Sequence, residues 1–92
     1  MPKLKFSVYI GDILLADIIP NEFLFTVKLK VIGDIVKMAS IESKSFVLKE
    51  NAIEAVSTLL PIFVDRLVVK RIENGSIISL ETVFPYGDPI CQ

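Results

Sequence analysis

Lys3 to Ile10 alternates along the chain, with Leu4, Phe6, Val8 and Ile10 at one parity and Lys3, Lys5, Ser7 and Tyr9 at the other. That two-residue period is the mark of a strand with two unlike faces. Gly11-Asp12 supplies the positive-φ residues of a two-residue hairpin turn, and Ile13 to Ile19 is the returning strand. In this register Ile10 faces Ile13, Val8 faces Leu15 and Phe6 faces Asp17, while the other face pairs Tyr9 with Leu14 and Ser7 with Ala16. Both faces are therefore largely apolar, as expected of a strand covered on two sides. Asp17 is the misfit, and a bulge or the strand's end near Pro20 would turn it out to water.

After a turn at Pro20-Asn21-Glu22, Phe23 to Ile32 alternates again, with Phe23, Phe25, Val27, Leu29 and Val31 opposed to Leu24, Thr26, Lys28, Lys30 and Ile32. Gly33-Asp34 repeats the earlier turn dipeptide and predicts a second hairpin that buries Leu29, Val31, Val36 and Met38 together. Its other face sets Lys30 opposite Lys37, with Lys28 one pair further on. The repeated Ile-Gly-Asp-Ile reflects shared turn chemistry rather than duplication, because the flanking residues do not match. A third hairpin is predicted from Val64 to Glu73 and Ser76 to Phe84 around Asn74-Gly75, with Leu67, Val69, Ile78, Leu80 and Phe84 on one face and Glu81 diagonal to Arg66 and Lys70 on the other.

Only Asn51 to Leu67 reads as a helix, through Ile53, Val56, Leu60, Phe63, Val64 and Leu67 at three- and four-residue steps. Asn51 followed by Glu54 fits a capping box. Pro61 removes a backbone donor and disfavours helical geometry at Leu60, so the helix either stops near Leu60, the favoured reading, or bends and runs on to Arg66. Phe46 to Leu48 is a short apolar strand or an anchor leading into it. The expected fold is α+β: mostly antiparallel hairpins in one domain over residues 1–84, with one helix (about 51–60, or to 66) packed on the sheet. A partly open barrel of the OB type has a similar element order and is the alternative. Residues 85–92, with two prolines and a glycine, form an extended tail.

Composition sharpens this picture. The chain has 92 residues, 52% of them hydrophobic. A domain of this size buries only about two-thirds of the surface its unfolded chain exposes, so the apolar excess needs a partner surface. Symmetric homo-oligomers are the common solution, a dimer the simplest. Tyr9, Leu14, Ala16 and Ile18, on the second face of the first hairpin, together with Tyr86 in the tail, are the residues expected at such an interface. The 10 basic and 11 acidic side chains leave a net charge of −1, so no overall field draws the chain to nucleic acid. A local patch of Lys28, Lys30 and Lys37, extended by Lys44, is the candidate anion-binding or nucleic-acid-binding face. Phe23 and Phe25 point to the side opposite these lysines, and the flanking Leu24 and Ile32 offer no surface for base stacking, so the patch is the second reading.

Chemistry is limited mainly by absence. The chain has no His and one Cys, Cys91, so imidazole catalysis, thiolate metal sites and an internal disulfide framework are excluded, and no metal or cofactor is expected. The glycines are isolated in turns and form no phosphate-binding loop. Asp12 and Asp34 sit where tight turns want Asp. Asp17, aimed at an apolar face, is the remaining candidate acid for a small enzyme. The longest uncharged run, Ala55 to Val64, spans ten residues, too short for a membrane helix, and the single cysteine fits a reducing, cytoplasmic setting.

Overall fold

The structure is a computed structural model that describes residues 3–30, 35–60 and 64–85. Six strands form one antiparallel sheet: β1 (Leu4–Ile10), β2 (Ile13–Asn21), β3 (Leu24–Leu29), β4 (Ser45–Phe46), β5 (Leu67–Glu73) and β6 (Ser76–Val83). Two helices, α1 (Ile35–Glu42) and α2 (Lys49–Ser57), complete the α+β fold. The strand order β4-β3-β2-β1-β5-β6 is linear, so the sheet is open and the barrel alternative does not form.

One face of the sheet meets the helices. Phe6 and Val8 of β1, Ala16 and Ile18 of β2, Val27 of β3, and Leu67 and Val69 of β5 join Ile41 of α1 and Ala52, Ile53 and Val56 of α2 in a single buried cluster. Val8, Ala16, Ile18 and Leu67 are wholly excluded from solvent. Excluding a Val, Leu or Ile side chain stabilises by roughly 1.5–3 kcal/mol each, so this cluster is the main reason the chain folds.

The first hairpin turns at Gly11-Asp12 between Ile10 and Ile13 as expected, with Gly11 at φ +54°, where glycine meets no Cβ penalty, but Asp12 is not at positive φ. Beyond it the register departs from the expected one. A β-bulge between Val8 and Tyr9 leaves Leu15 as an extra residue, so Val8 pairs with Ala16, Ser7 with Asp17 and Phe6 with Ile18. Lys30 N–H donates to Leu15 O at 2.8 Å and satisfies the bulged residue's carbonyl. This one-residue insertion turns Ala16 and Ile18 into the core and Asp17 onto the opposite face.

The second hairpin is corrected outright. β2 runs on through Pro20 and Asn21, and its turn to β3 is Glu22-Phe23, with Glu22 at φ +59° and Phe23 almost fully exposed. Residues 35–42, expected as the returning strand, form α1 instead, so Lys30 does not face Lys37 and Val36 is exposed rather than buried. Val31 and the Gly33-Asp34 turn lie outside the described residues. The helical choice has a local cause: Lys37 to Glu42 (KMASIE) are mostly strong helix formers, and Met38 and Ile41 stand three apart on the inward side. Leu29 N–H donates to Glu42 Oε2 at 2.9 Å, tying the end of α1 to β3.

α2 starts two residues before Asn51. Its N-cap is Leu48, in extended geometry and without a side-chain cap, so the Asn51 and Glu54 capping box does not form. The helix ends at Ser57, before Pro61, and residues 64–66 are not helical, so it does not run on to Arg66. Ser57 Oγ and Thr58 Oγ1 each donate at 2.6 Å to the carbonyls of Glu54 and Ala55, which gives the last turn local partners. Of the expected helical stripe, Ile53 and Val56 are buried by α2, whereas Leu67 reaches the same core from β5.

The third hairpin forms at Asn74-Gly75, both at positive φ (52° and 83°), as a type I′ turn requires. It too carries a bulge, between Arg71 and Ile72, after which Arg71 pairs with Ser79, Lys70 with Leu80, Val69 with Glu81 and Leu67 with Val83. Leu80 is thereby moved off the core face, Val83 takes a place on it, and Glu81 approaches Lys49 of α2 (3.9 Å) rather than Arg66 and Lys70.

Candidate functional site

Among the described residues, neither helix packs on the second face of the sheet. At its centre Ser7 and Asp17 are buried, at 2% and 8% exposure, and Ser7 Oγ donates to Asp17 Oδ1 at 2.7 Å. The other carboxylate oxygen lies 3.7 Å from Lys5 Nζ. Across the strands, Lys28 is level with Asp17, and Lys70 is level with Ser7 and places its ammonium 4.2 Å from the centre of the Tyr9 ring. Alternation along the paired strands adds Leu14, Ile19, Leu24, Val68, Ile72 and Leu80 to this face. The open face is thus a polar centre of Ser7, Asp17 and three lysines within an apolar surround.

Tyr9 and Leu14 stand opposite one another on this open face, half-buried. Ala16 and Ile18 are corrected: the Leu15 bulge places both in the closed core, where they are inaccessible. Tyr86 lies outside the described residues. The lysines are not aligned as expected. Lys28 is on the open face, Lys30 follows β3, Lys37 is on α1 with its Nζ donating to Thr58 O at 3.3 Å, and Lys44 lies between α1 and β4, so no paired hairpin gathers them. Within the paired strands, the open face instead carries Lys5, Lys28 and Lys70.

Asp17 is neither turned out to water nor set against Phe6. Both of its oxygens have partners, one a hydroxyl and one an ammonium, which is how a buried carboxylate is held in place. Among the described residues no group of three His, Cys, Asp or Glu side chains is arranged to hold a metal ion. No helix there is long and apolar enough to cross a membrane.

The sheet's two ends differ. β4, at one end, has only two residues, and its Phe46 is half-buried against the core. β6, at the other, has eight, pairs only with β5 among the described residues, and is exposed from Ser76 to Thr82. Ile77, Ile78 and Leu80 are 57%, 55% and 64% exposed on this strand, and Glu81 is its one charged residue. Natural edge strands are commonly blunted by brevity, lysine, proline, a bulge or an inward-pointing charge; β6 has none of the first three and carries the last two, the bulge at Ile78 and Glu81 on the helix face. The alternation predicted an apolar surplus without finding this edge; the doubled isoleucine that breaks the period of two was the available signal.

A groove of about 330 Å³ runs between α2 and the end of β6, with Ile53 at its base and Glu50, Glu54 and Glu81 around it. Beside it, Lys49 bridges helix and sheet, with its ammonium 4.8 Å from the Phe6 ring centre and 3.9 Å from Glu81. Comparison of the chain with protein-family models, with curated proteins and with solved structures finds no match.

Proposed function

We propose that the protein is a non-catalytic interaction protein that works as a homo-oligomer, most simply a dimer, through apolar sheet surface. The observation that carries this reading is β6: three large apolar side chains more than half exposed on an eight-residue strand that pairs on one side only among the described residues. The apolar excess of the sequence is only partly absorbed by the core, because among the described residues the helices cover one face of the sheet alone. A non-catalytic role is supported by Asp17, whose oxygens are engaged by Ser7 and Lys5. Native mass spectrometry and sedimentation equilibrium of the full chain at micromolar concentration test the reading. A dimer or higher oligomer is expected, and a chain that stays monomeric throughout overturns it.

A further inference from the structure

Two routes of self-association are open to a sheet that, among the described residues, has one face without a helix and a long edge strand paired on one side only. Face-to-face packing opposes two copies of the same charge set, Lys5, Lys28 and Lys70 against the single Asp17, and so desolvates an excess of cations. The edge carries no such burden. β6 has one charge in eight residues, and its pairing with β5 leaves alternate backbone amides and carbonyls directed outward.

We infer that two copies of this chain join β6 to β6 antiparallel, on a two-fold axis through Leu80, extending the sheet across the pair. This rests on the homo-oligomer reading above and says which surface makes the contact. Residues directly opposite in an antiparallel pair share a sheet face, so a two-fold axis normal to the sheet must pass level with a residue and not between two. Centring on Glu81 sets that carboxylate against its own copy, a like-charge pair that destabilises. Centring on Ser79 sets Ile78 against the partner's Leu80 but leaves each Glu81 level with the bulge at Ile77-Ile78, where no donor on its face stands opposite. Centring on Leu80 brings Leu80 against the partner's Leu80 on the open face, Ile78 against the partner's Thr82, and the Ser79 hydroxyl beside the partner's Glu81. That is the one arrangement of the three in which apolar groups meet apolar or methyl-bearing ones and each carboxylate has a donor opposite.

Two variants of the full chain test the inference. Leu80→Lys replaces a 64% exposed side chain, so the fold is retained, and it places two ammonium groups across the axis. Sedimentation is expected to show the dimer's dissociation constant raised at least about tenfold with an unchanged far-ultraviolet circular dichroism spectrum. Leu80→Cys in a Cys91→Ser background sets two thiols across the axis at the Cα separation of an antiparallel pair, about 4.5–5.5 Å, within disulfide range. It is expected to cross-link under mild oxidation at least about tenfold faster than Ile13→Cys, which is equally exposed at the β1–β2 turn. If the wild-type chain is dimeric and Leu80→Lys leaves the dissociation constant unaltered, or Ile13→Cys cross-links as fast as Leu80→Cys, the edge assignment is overturned while the homo-oligomer reading stands. A wild-type chain that is monomeric overturns both.

Discussion

Removing the Ser7 hydroxyl separates a structural Asp17 from a catalytic one. In Ser7→Ala, Asp17 Oδ1 loses a donor at 2.7 Å while the carboxylate stays at 8% exposure in the middle of the sheet. A hydrogen bond to a charged acceptor contributes about 1.5–3 kcal/mol net. The upper end is reduced here, because the Asp17 side chain is 11% exposed and water has partial access. Lys5 does little to compensate: it is 46% exposed and 3.7 Å away, and such a pair is worth about 0–1 kcal/mol. The expected loss is therefore about 1.5–2 kcal/mol, or roughly 6–16 °C in Tm for a domain of this size. Urea unfolding of the wild type, Ser7→Ala, Asp17→Ala and the double variant closes a mutant cycle, in which Asp17→Ala strands the buried Ser7 hydroxyl and the double variant strands neither group. A coupling of at least about 1 kcal/mol is expected. A coupling near zero, or an Asp17→Ala chain more stable than wild type, would refute the structural role and revive Asp17 as a group held under strain for chemistry.

Two further substitutions probe the register and the turns. Ile18→Ala empties a fully buried site between sheet and helices and is expected to cost about 2–5 kcal/mol in urea unfolding, the range for truncating a core isoleucine; a loss of less than about 1 kcal/mol would place Ile18 on a surface after all. Glu22→Asn relieves a left-handed conformation at φ +59° in the β2–β3 turn and is expected to stabilise by about 0.5–1 kcal/mol by the same measurement, whereas destabilisation would show that Glu22 makes a contact worth more than its strain.

Three of the fold's features were legible because they depend on local chemistry. The Gly11-Asp12 and Asn74-Gly75 turns follow from residues that accept positive φ, and the end of α2 before Pro61 follows from the ring's geometry. What alternation alone misses is register. Both hairpins take on one extra residue, Leu15 in the first and Ile78 in the third, and each insertion exchanges the faces of the residues beyond it. That exchange carried Ala16 and Ile18 from the expected interface into the core, and Leu80 from the core to solvent. Both bulges fall at a doubled apolar residue, Leu14-Leu15 and Ile77-Ile78, where the period of two already fails. The segment at α1 departs from the expected strand for another reason. Gly33-Asp34 copies a hairpin dipeptide, and that match outweighed the helix formers from Lys37 to Glu42.

The bulge in the third hairpin also bears on why the chain would need a second copy. Without it, the Asn74-Gly75 turn would set Leu80 opposite Val69, a residue 2% exposed in the core. With it, Glu81 holds that position and pairs with Lys49 through a side chain 54% exposed, an interaction worth about 0–1 kcal/mol. Full burial of a leucine is worth about 1.5–3 kcal/mol, so the ion pair alone does not offset moving Leu80 outward. Val83, which turns inward opposite Leu67, recovers part of the difference but remains only half-buried. Part of the balance is recovered if Leu80 is shielded by something outside the protomer, and a β6-to-β6 contact centred on that residue sets two leucines side by side while also pairing the strand's outward amides. The bulged register and the proposed edge contact are therefore one argument: a sheet that seeks no neighbour has little reason to turn Leu80 away from its own core.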